Sequence, residues 1–158
     1  MRKNQTGFTL IELIVVIVLL GILAATALPK FGGIQQGARI STLNGARGAV
    51  SSAAYIAAAT YQTQGGTNGT VTLDGTPISL VFGYPTAFQG GIAGSGIFNA
   101  AGLSTADFSQ VGDATLVSTV AHIFLITAPS PLACGFSYTQ STAANAPPVL
   151  TVNNTSGC

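Results

Sequence analysis

Residues Phe8 to Leu28 read FTLIELIVVIVLLGILAATAL, and Glu12 is their single charged side chain. As an α-helix these 21 residues rise to roughly 31 Å, about the thickness of a bilayer's hydrocarbon core. Such a segment is at home only in lipid or among other apolar helices. Arg2 and Lys3 precede it and no comparable basic cluster follows. The positive-inside rule therefore keeps the first residues in the cytoplasm and sends the rest of the chain across the membrane. Glu12 is the anomaly. An acid within the hydrocarbon is costly even on the gentlest insertion scales, and it usually marks function.

Three ordinary readings compete for this segment. A secretory signal would be cleaved after the apolar run, and Ala24-Ala25-Thr26-Ala27-Leu28-Pro29 could pass for its site, but signal apolar regions are only about 7–15 residues long. A plain single-pass anchor accounts for the length and leaves Glu12 unexplained. A glutamate snorkelling to the interface, one turn from the helix start, accounts for its position and nothing else. A fourth reading comes from the residues themselves. Gly7-Phe8-Thr9-Leu10-Ile11-Glu12, after a short basic leader and before an unbroken apolar helix, resembles the class III signal of type IV pilins and pseudopilins. That resemblance implies that a prepilin peptidase cuts between Gly7 and Phe8 on the cytoplasmic side and N-methylates Phe8. The helix stays on the mature protein. The cut creates a positive amine at Phe8, and in a filament of staggered identical helices Glu12 can pair with its own or a neighbour's amine. An ion pair offsets its desolvation only in good geometry, so this pairing rewards register more than raw stability.

Beyond the membrane segment the helical pattern continues with one apolar face. Leu43, Ala46, Val50, Ala53, Ala57 and Tyr61 recur at spacings of three and four, which predicts a helix to about residue 62. Pro29 lacks a backbone donor and Gly21 lowers helix propensity. The span from Gly21 to Pro29 is thus the expected place to bend or melt, and the resemblance implies loss of helical order there in assembled pili. An ordinary membrane-helix kink fits equally. Gly32, Gly33, Gly37, Gly45 and Gly48 permit close approach of backbones.

After residue 62 the composition turns polar and glycine-rich. Residues 64–70 read as a loop, followed by strands at 71–73 and 78–82. A Gly/Ala-rich loop is expected over 83–102 and a short helix over 104–108, with Ser104 or Thr105 as its cap. Further strands are expected at 121–127, 135–139 and 148–152. Helix first and strands after predict an α+β fold, with a small antiparallel sheet packed on the long helix. The expected organisation is a cleaved leader (1–7), a membrane or filament-core helix (8–28), an amphipathic helix (29–62) and a β-rich head (63–158).

Cys134 and Cys158 are the chain's two cysteines. In an extracytoplasmic domain they read most economically as one disulfide, which would pin the C-terminal segment. Zinc held by two cysteines and His122 lacks metal-like spacing. In type IV pilins a disulfide so placed bounds an exposed part of the head. ALPKFGGIQQGARISTLNGARGAV at 27–50, with GYP at 83–85 and a terminal SGC, is similar to the mannose-sensitive haemagglutinin class of type IVa pilins. The major pseudopilin of type II secretion typically lacks the disulfide and carries a calcium site near its C-terminus. Calcium favours carboxylate oxygens, and no acidic residue follows Asp113.

Other functions find little support. Only 6% of residues are charged, against roughly 25% in ordinary domains, and such a surface favours association. Removal of the leader leaves Lys30, Arg39 and Arg47 against Glu12, Asp74, Asp107 and Asp113, a net charge of −1 before the new amine is counted. No basic stripe remains for nucleic acid. His122 has no Asp or Glu within eight residues, so it does not read as a general base, and no phosphate loop or dinucleotide fingerprint is present. Asn68-Gly69-Thr70 and Asn153-Asn154-Thr155 match a glycosylation acceptor pattern too short to be informative. The expected function is structural, without enzymatic activity or cofactor: the major subunit of an extracellular pilus serving attachment. Its precursor would sit in the inner membrane, and its partners would be the peptidase, the assembly machinery and identical subunits in a helical filament. A pseudopilin or a membrane-anchored binding domain is the alternative.

Overall fold

The computed structural model describes residues 7–67, 69–88, 96–112, 119–144, 146–151 and 153–158. Leader residues 1–6, Asn68, Asp113, Val152 of the last expected strand and residues 89–95 of the expected Gly/Ala loop lie outside them. The chain divides into two compact units, residues 1–38 and 39–158. Helix α1 runs from Leu10 to Thr63.

In the first unit no described residue covers the helix. Its large apolar side chains from Leu10 to Leu28 are 45–74% exposed. The backbone stays helical through Gly21 and Pro29, although Pro29 cannot donate to the carbonyl one turn back. Thr26 Oγ1 lies just before it and donates to the Leu23 carbonyl at 2.9 Å. Hydroxyl back-bonding of this kind loosens and bends helices. Gly21, Thr26 and Pro29 thus weaken one stretch together.

In the second unit the three-and-four spacing takes effect. Leu43, Ala46, Val50, Ala53, Ala54 and Ala57 are buried, while Asn44, Gly45, Gly48, Ser52 and Tyr55 between them face outward. The buried face meets two antiparallel sheets where one was expected. The first holds β1 (Thr70–Leu73), β2 (Thr76–Val81) and β3 (Tyr84–Pro85) in that order. The second holds β4 (Phe108–Gly112), β5 (Val120–Leu125), β6 (Gly135–Thr139) and β7 (Val149–Leu150), again in chain order. Between the sheets lies the short helix α2 (Ile97–Ala100).

β5 alternates cleanly: Ala121, Ile123 and Leu125 point inward, as a half-buried strand should. They join Leu43, Val50, Phe98, Phe136 and Tyr138 in the main core. A smaller cluster of Ala57, Val71 and Ile78 closes the first sheet against the helix.

Three expectations need correction. Residues 104–108 form no helix: the Ser104 carbonyl accepts from both Asp107 N and Phe108 N, and this single turn ends because Phe108 is drawn into the core as the first residue of β4. The loop expected over 83–102 contains β3 and α2, held because Ile97 and Phe98 are fully or almost fully buried. β5 ends at Leu125 rather than residue 127, since Ile126 N turns to the Asp107 carbonyl.

GYP at 83–85 is the junction of the head. Asp74-Gly75 and Phe82-Gly83 form the two-residue turns of successive hairpins, with φ of 47°, 74°, 50° and 84°. Positive φ at both positions is the twist-matched hairpin geometry. A Cβ on Gly83 would stand 2.9 Å from the Tyr61 ring of α1, so any other residue would displace that ring as well as strain the backbone. Tyr84 meets Tyr55 of α1 edge-on, centroids 6.3 Å apart. The Pro85 carbonyl accepts from the buried Tyr138 hydroxyl at 2.7 Å. Gln110 Nε2 donates to the Ala87 carbonyl at 2.6 Å, and Ala87 N donates to Gln140 Oε1 at 2.8 Å. One short segment thereby ties the helix to both sheets.

Cys134 and Cys158 form a disulfide, with Cα atoms 4.9 Å apart. The terminal segment has other holds. Gly157 N donates to the Ala133 carbonyl, Gly135 and Asn154 exchange backbone hydrogen bonds, and Arg39 Nη1 donates to the Cys158 carbonyl at 2.9 Å.

Candidate assembly site

The sequence singles out the start of α1, and local chemistry shapes it. Gly7, Phe8 and Thr9 precede the helix in irregular, exposed backbone, and Phe8 is 84% exposed. The Gly7–Phe8 bond therefore lies outside helical hydrogen bonding. Thr9 is the cap residue. Its Oγ1 accepts from Glu12 N at 3.4 Å, and its backbone N donates to Glu12 Oε2 at 2.9 Å. Thr9 Oγ1 also donates to the same carboxylate oxygen at 2.7 Å. This is a reciprocal capping box: the threonine and the glutamate three residues later each satisfy a donor that the helix start leaves orphaned.

Glu12 is therefore not idle in the single chain. Its negative charge sits at the positive end of the helix dipole, where a carboxylate is favoured. Sequence reasoning missed this role although the signal, a threonine followed three residues later by glutamate before an apolar run, is present in TLIE.

Around the cap, Phe8, Ile11, Glu12, Val15 and Val16 share one open face at the helix start. Phe8 and Glu12, the two residues expected to act in assembly, thus border a common surface that is apolar apart from the carboxylate. Residue 8 carries an ordinary amide nitrogen here, since Gly7 is still attached.

The remaining candidates fall elsewhere. Gly21 and Pro29 lie further along α1, and Cys134 and Cys158 lie in the head. His122 Nδ1 is 2.8 Å from Ser137 Oγ across the β5–β6 register. Among the described residues no group of three or more His, Cys, Asp or Glu side chains could hold a metal ion.

Residues 2–28 match the prokaryotic N-terminal methylation motif. The chain carries the signature of type IV pilins and pseudopilins. Over 44 residues it is 46% identical to the type II secretion system core protein G of Pseudomonas aeruginosa, a match spanning 28% of this chain and 31% of that protein. The chain therefore spans about a third of the length of the curated relative it matches. No solved structure matches it. The pilin-like signature covers Gly7, Phe8 and Glu12, so the capped helix start and the methylation motif coincide.

Proposed function

We propose that this chain is the subunit of a helical filament, cut between Gly7 and Phe8, N-methylated at Phe8 and assembled through its apolar helix. The observation that carries the reading is the coincidence of the methylation motif with a non-helical, exposed Gly7–Phe8 bond directly before a capped apolar helix. Cleavage places a positive amine near the Glu12 carboxylate, on the open face that Phe8 and Glu12 share. The carboxylate then has two alternatives, its own helix cap and the amine of its own or a neighbouring subunit. Among packed apolar helices, as in lipid, water does not solvate either charge, which makes a well-placed pair far better than either charge alone. The weakened stretch of Gly21, Thr26 and Pro29 is where such a helix would lose order to fit neighbours.

The filament is an extracellular pilus serving attachment, and the chain its major subunit. The Cys134–Cys158 disulfide supports the pilus, because the resemblance associates that bridge with pilin heads. The match to core protein G favours the second reading, a secretion-system pseudopilin. We prefer the pilus, since 44 matched residues leave most of the chain, including most of the head, outside the comparison. Filaments sheared from the cell surface and resolved by gel electrophoresis discriminate the two. This chain as the main component of long surface filaments is the expected result. Its restriction to the envelope, with loss of protein secretion on deletion, would instead establish the pseudopilin.

A further inference from the structure

Arg47 stands on α1 beside a groove of about 430 Å³ that it lines with Asn44, Gly48, Ser51 and Leu150. The side chain is half-buried, and its Nε is shut from solvent with no hydrogen-bond acceptor among the described residues. That nitrogen is out of reach of any incoming chain, so a carboxylate can engage the guanidinium only through its two terminal nitrogens. Among the described residues no carboxylate lines the groove. A Cβ on Gly48 would meet nothing within 4 Å, so the helix surface beside the guanidinium is open to an incoming chain. The other arginine of the head, Arg39, is already engaged with the Cys158 carbonyl. Arg47 is thus a cation set in a concave, neutral surface.

The complementary feature is convex and acidic. Asp74 is exposed at the two-residue turn between β1 and β2, with φ of 47°. Leu73 and Thr76 are the last paired residues, so Asp74 and Gly75 project beyond the ladder. Asp107 is also exposed, but its backbone is tied on both sides, to Ser104 and to Ile126. A hairpin tip can enter a groove where a tied strand entrance cannot.

We propose that the Arg47 groove receives the Asp74 hairpin tip of a second copy of this chain, guanidinium to carboxylate. The inference rests on the filament-subunit reading and names a head-to-head contact within that filament. Groove and tip are different surfaces of the same molecule, so the contact is heterologous. Contacts of that kind close into rings or propagate as open helical assemblies. The planar guanidinium fork pairs a carboxylate through two parallel hydrogen bonds, which fixes orientation as well as distance. Each subunit offers one groove and one tip, so the contact repeats along the assembly with one charge cancelled against the other at every junction.

Charge reversal tests the pair in cells producing the full chain, with sheared filaments quantified against membrane-held subunit. Arg47→Glu and Asp74→Arg should each lower filament yield by about tenfold or more. The double variant should return it to within about threefold of wild type, since the reversed charges attract again. Rescue of Arg47→Glu by Asp107→Arg in place of Asp74→Arg would overturn the assignment, as would single variants with normal yield. Cross-linking covers the case in which no variant assembles, or in which wild type makes no filament and the filament reading itself fails. A chain carrying Ser51→Cys in the groove and Thr76→Cys beside the tip should give a ladder of disulfide-linked copies on mild oxidation of membranes. Monomer alone under those conditions would refute the contact whatever the fate of the filament.

Discussion

Two stretches of one helix behave in opposite ways. From Leu10 to Leu28 apolar side chains occupy every side and all the large ones are exposed. From Leu43 to Tyr61 they recur at threes and fours, and that single face is buried on two sheets. Periodicity selects a face, and a face needs one partner. Apolar residues all round select no face and need surroundings on every side. The first stretch is therefore left for apolar surroundings such as lipid or, in the proposed filament, neighbouring helices, whereas the second is finished within its own head. Only in the first does a carboxylate interrupt the apolar pattern.

The largest effect should come from Glu12, and it separates two roles for that residue. Glu12→Leu removes both cap and charge, while Glu12→Gln keeps an oxygen for the capping box and removes only the charge. If the charge pairs with the Phe8 amine, both variants should insert in the membrane, be cleaved, and make few or no filaments. Filaments at wild-type level from Glu12→Gln would mean that the capping box alone accounts for the residue.

Next comes the disulfide, which acts on the head alone. Cys134 and Cys158 are 24 residues apart, and opening such a loop removes roughly 3–4 kcal/mol in the chain-entropy model. Cys134→Ser should lower head stability in urea by that order. A change below about 1 kcal/mol would show that the Arg39 contact and the Gly135–Asn154 bridge hold the terminus unaided.

The helix comparison can be broken directly with one substitution made in each stretch. Leu43 is fully buried and Leu19 is 56% exposed. Leu43→Ala should cost the head about 3 kcal/mol. Leu19→Ala should leave its unfolding midpoint unchanged. Equal losses would contradict the division of labour along α1.

The smallest effect concerns Tyr138. Burial, and then the neighbouring Tyr84, push its hydroxyl well above the usual tyrosine range. A folded value raised above the unfolded one means that the stability it contributes is full below about pH 10 and is lost as pH climbs beyond it. Thermal melts should show the head weakening above that pH. Tyr138→Phe should cost about 1 kcal/mol at neutral pH by orphaning the Pro85 carbonyl, and should flatten the alkaline fall. An equally steep fall in the variant would assign it to other groups.

Much of this was legible where one physical pattern spoke alone. The spacing of Leu43 to Ala57 announced its buried face, β5 and β6 were apolar enough to read as strands, and the two cysteines had one economical partner each. β4 was missed because FSQVG carries a polar residue, Gln110, at an inward position, and its burial is made tolerable by a carbonyl contributed by Ala87. That partner lies 23 residues away and leaves no mark on the local pattern. GYP looked like a weak fragment of resemblance for the same reason: its work is done through Tyr61, Tyr55 and Tyr138. The capping box is written plainly in TLIE, but the same residues also fit the proposed charge pairing, so the local pattern does not single out one role.

Intact-mass and N-terminal peptide analysis of the mature protein tests the filament reading most directly. The expected species begins at Phe8, carries one N-methyl group there, and retains the Cys134–Cys158 bridge. A mature chain that begins near Leu28, or one that keeps Met1 to Gly7, would contradict assembly through a processed helix.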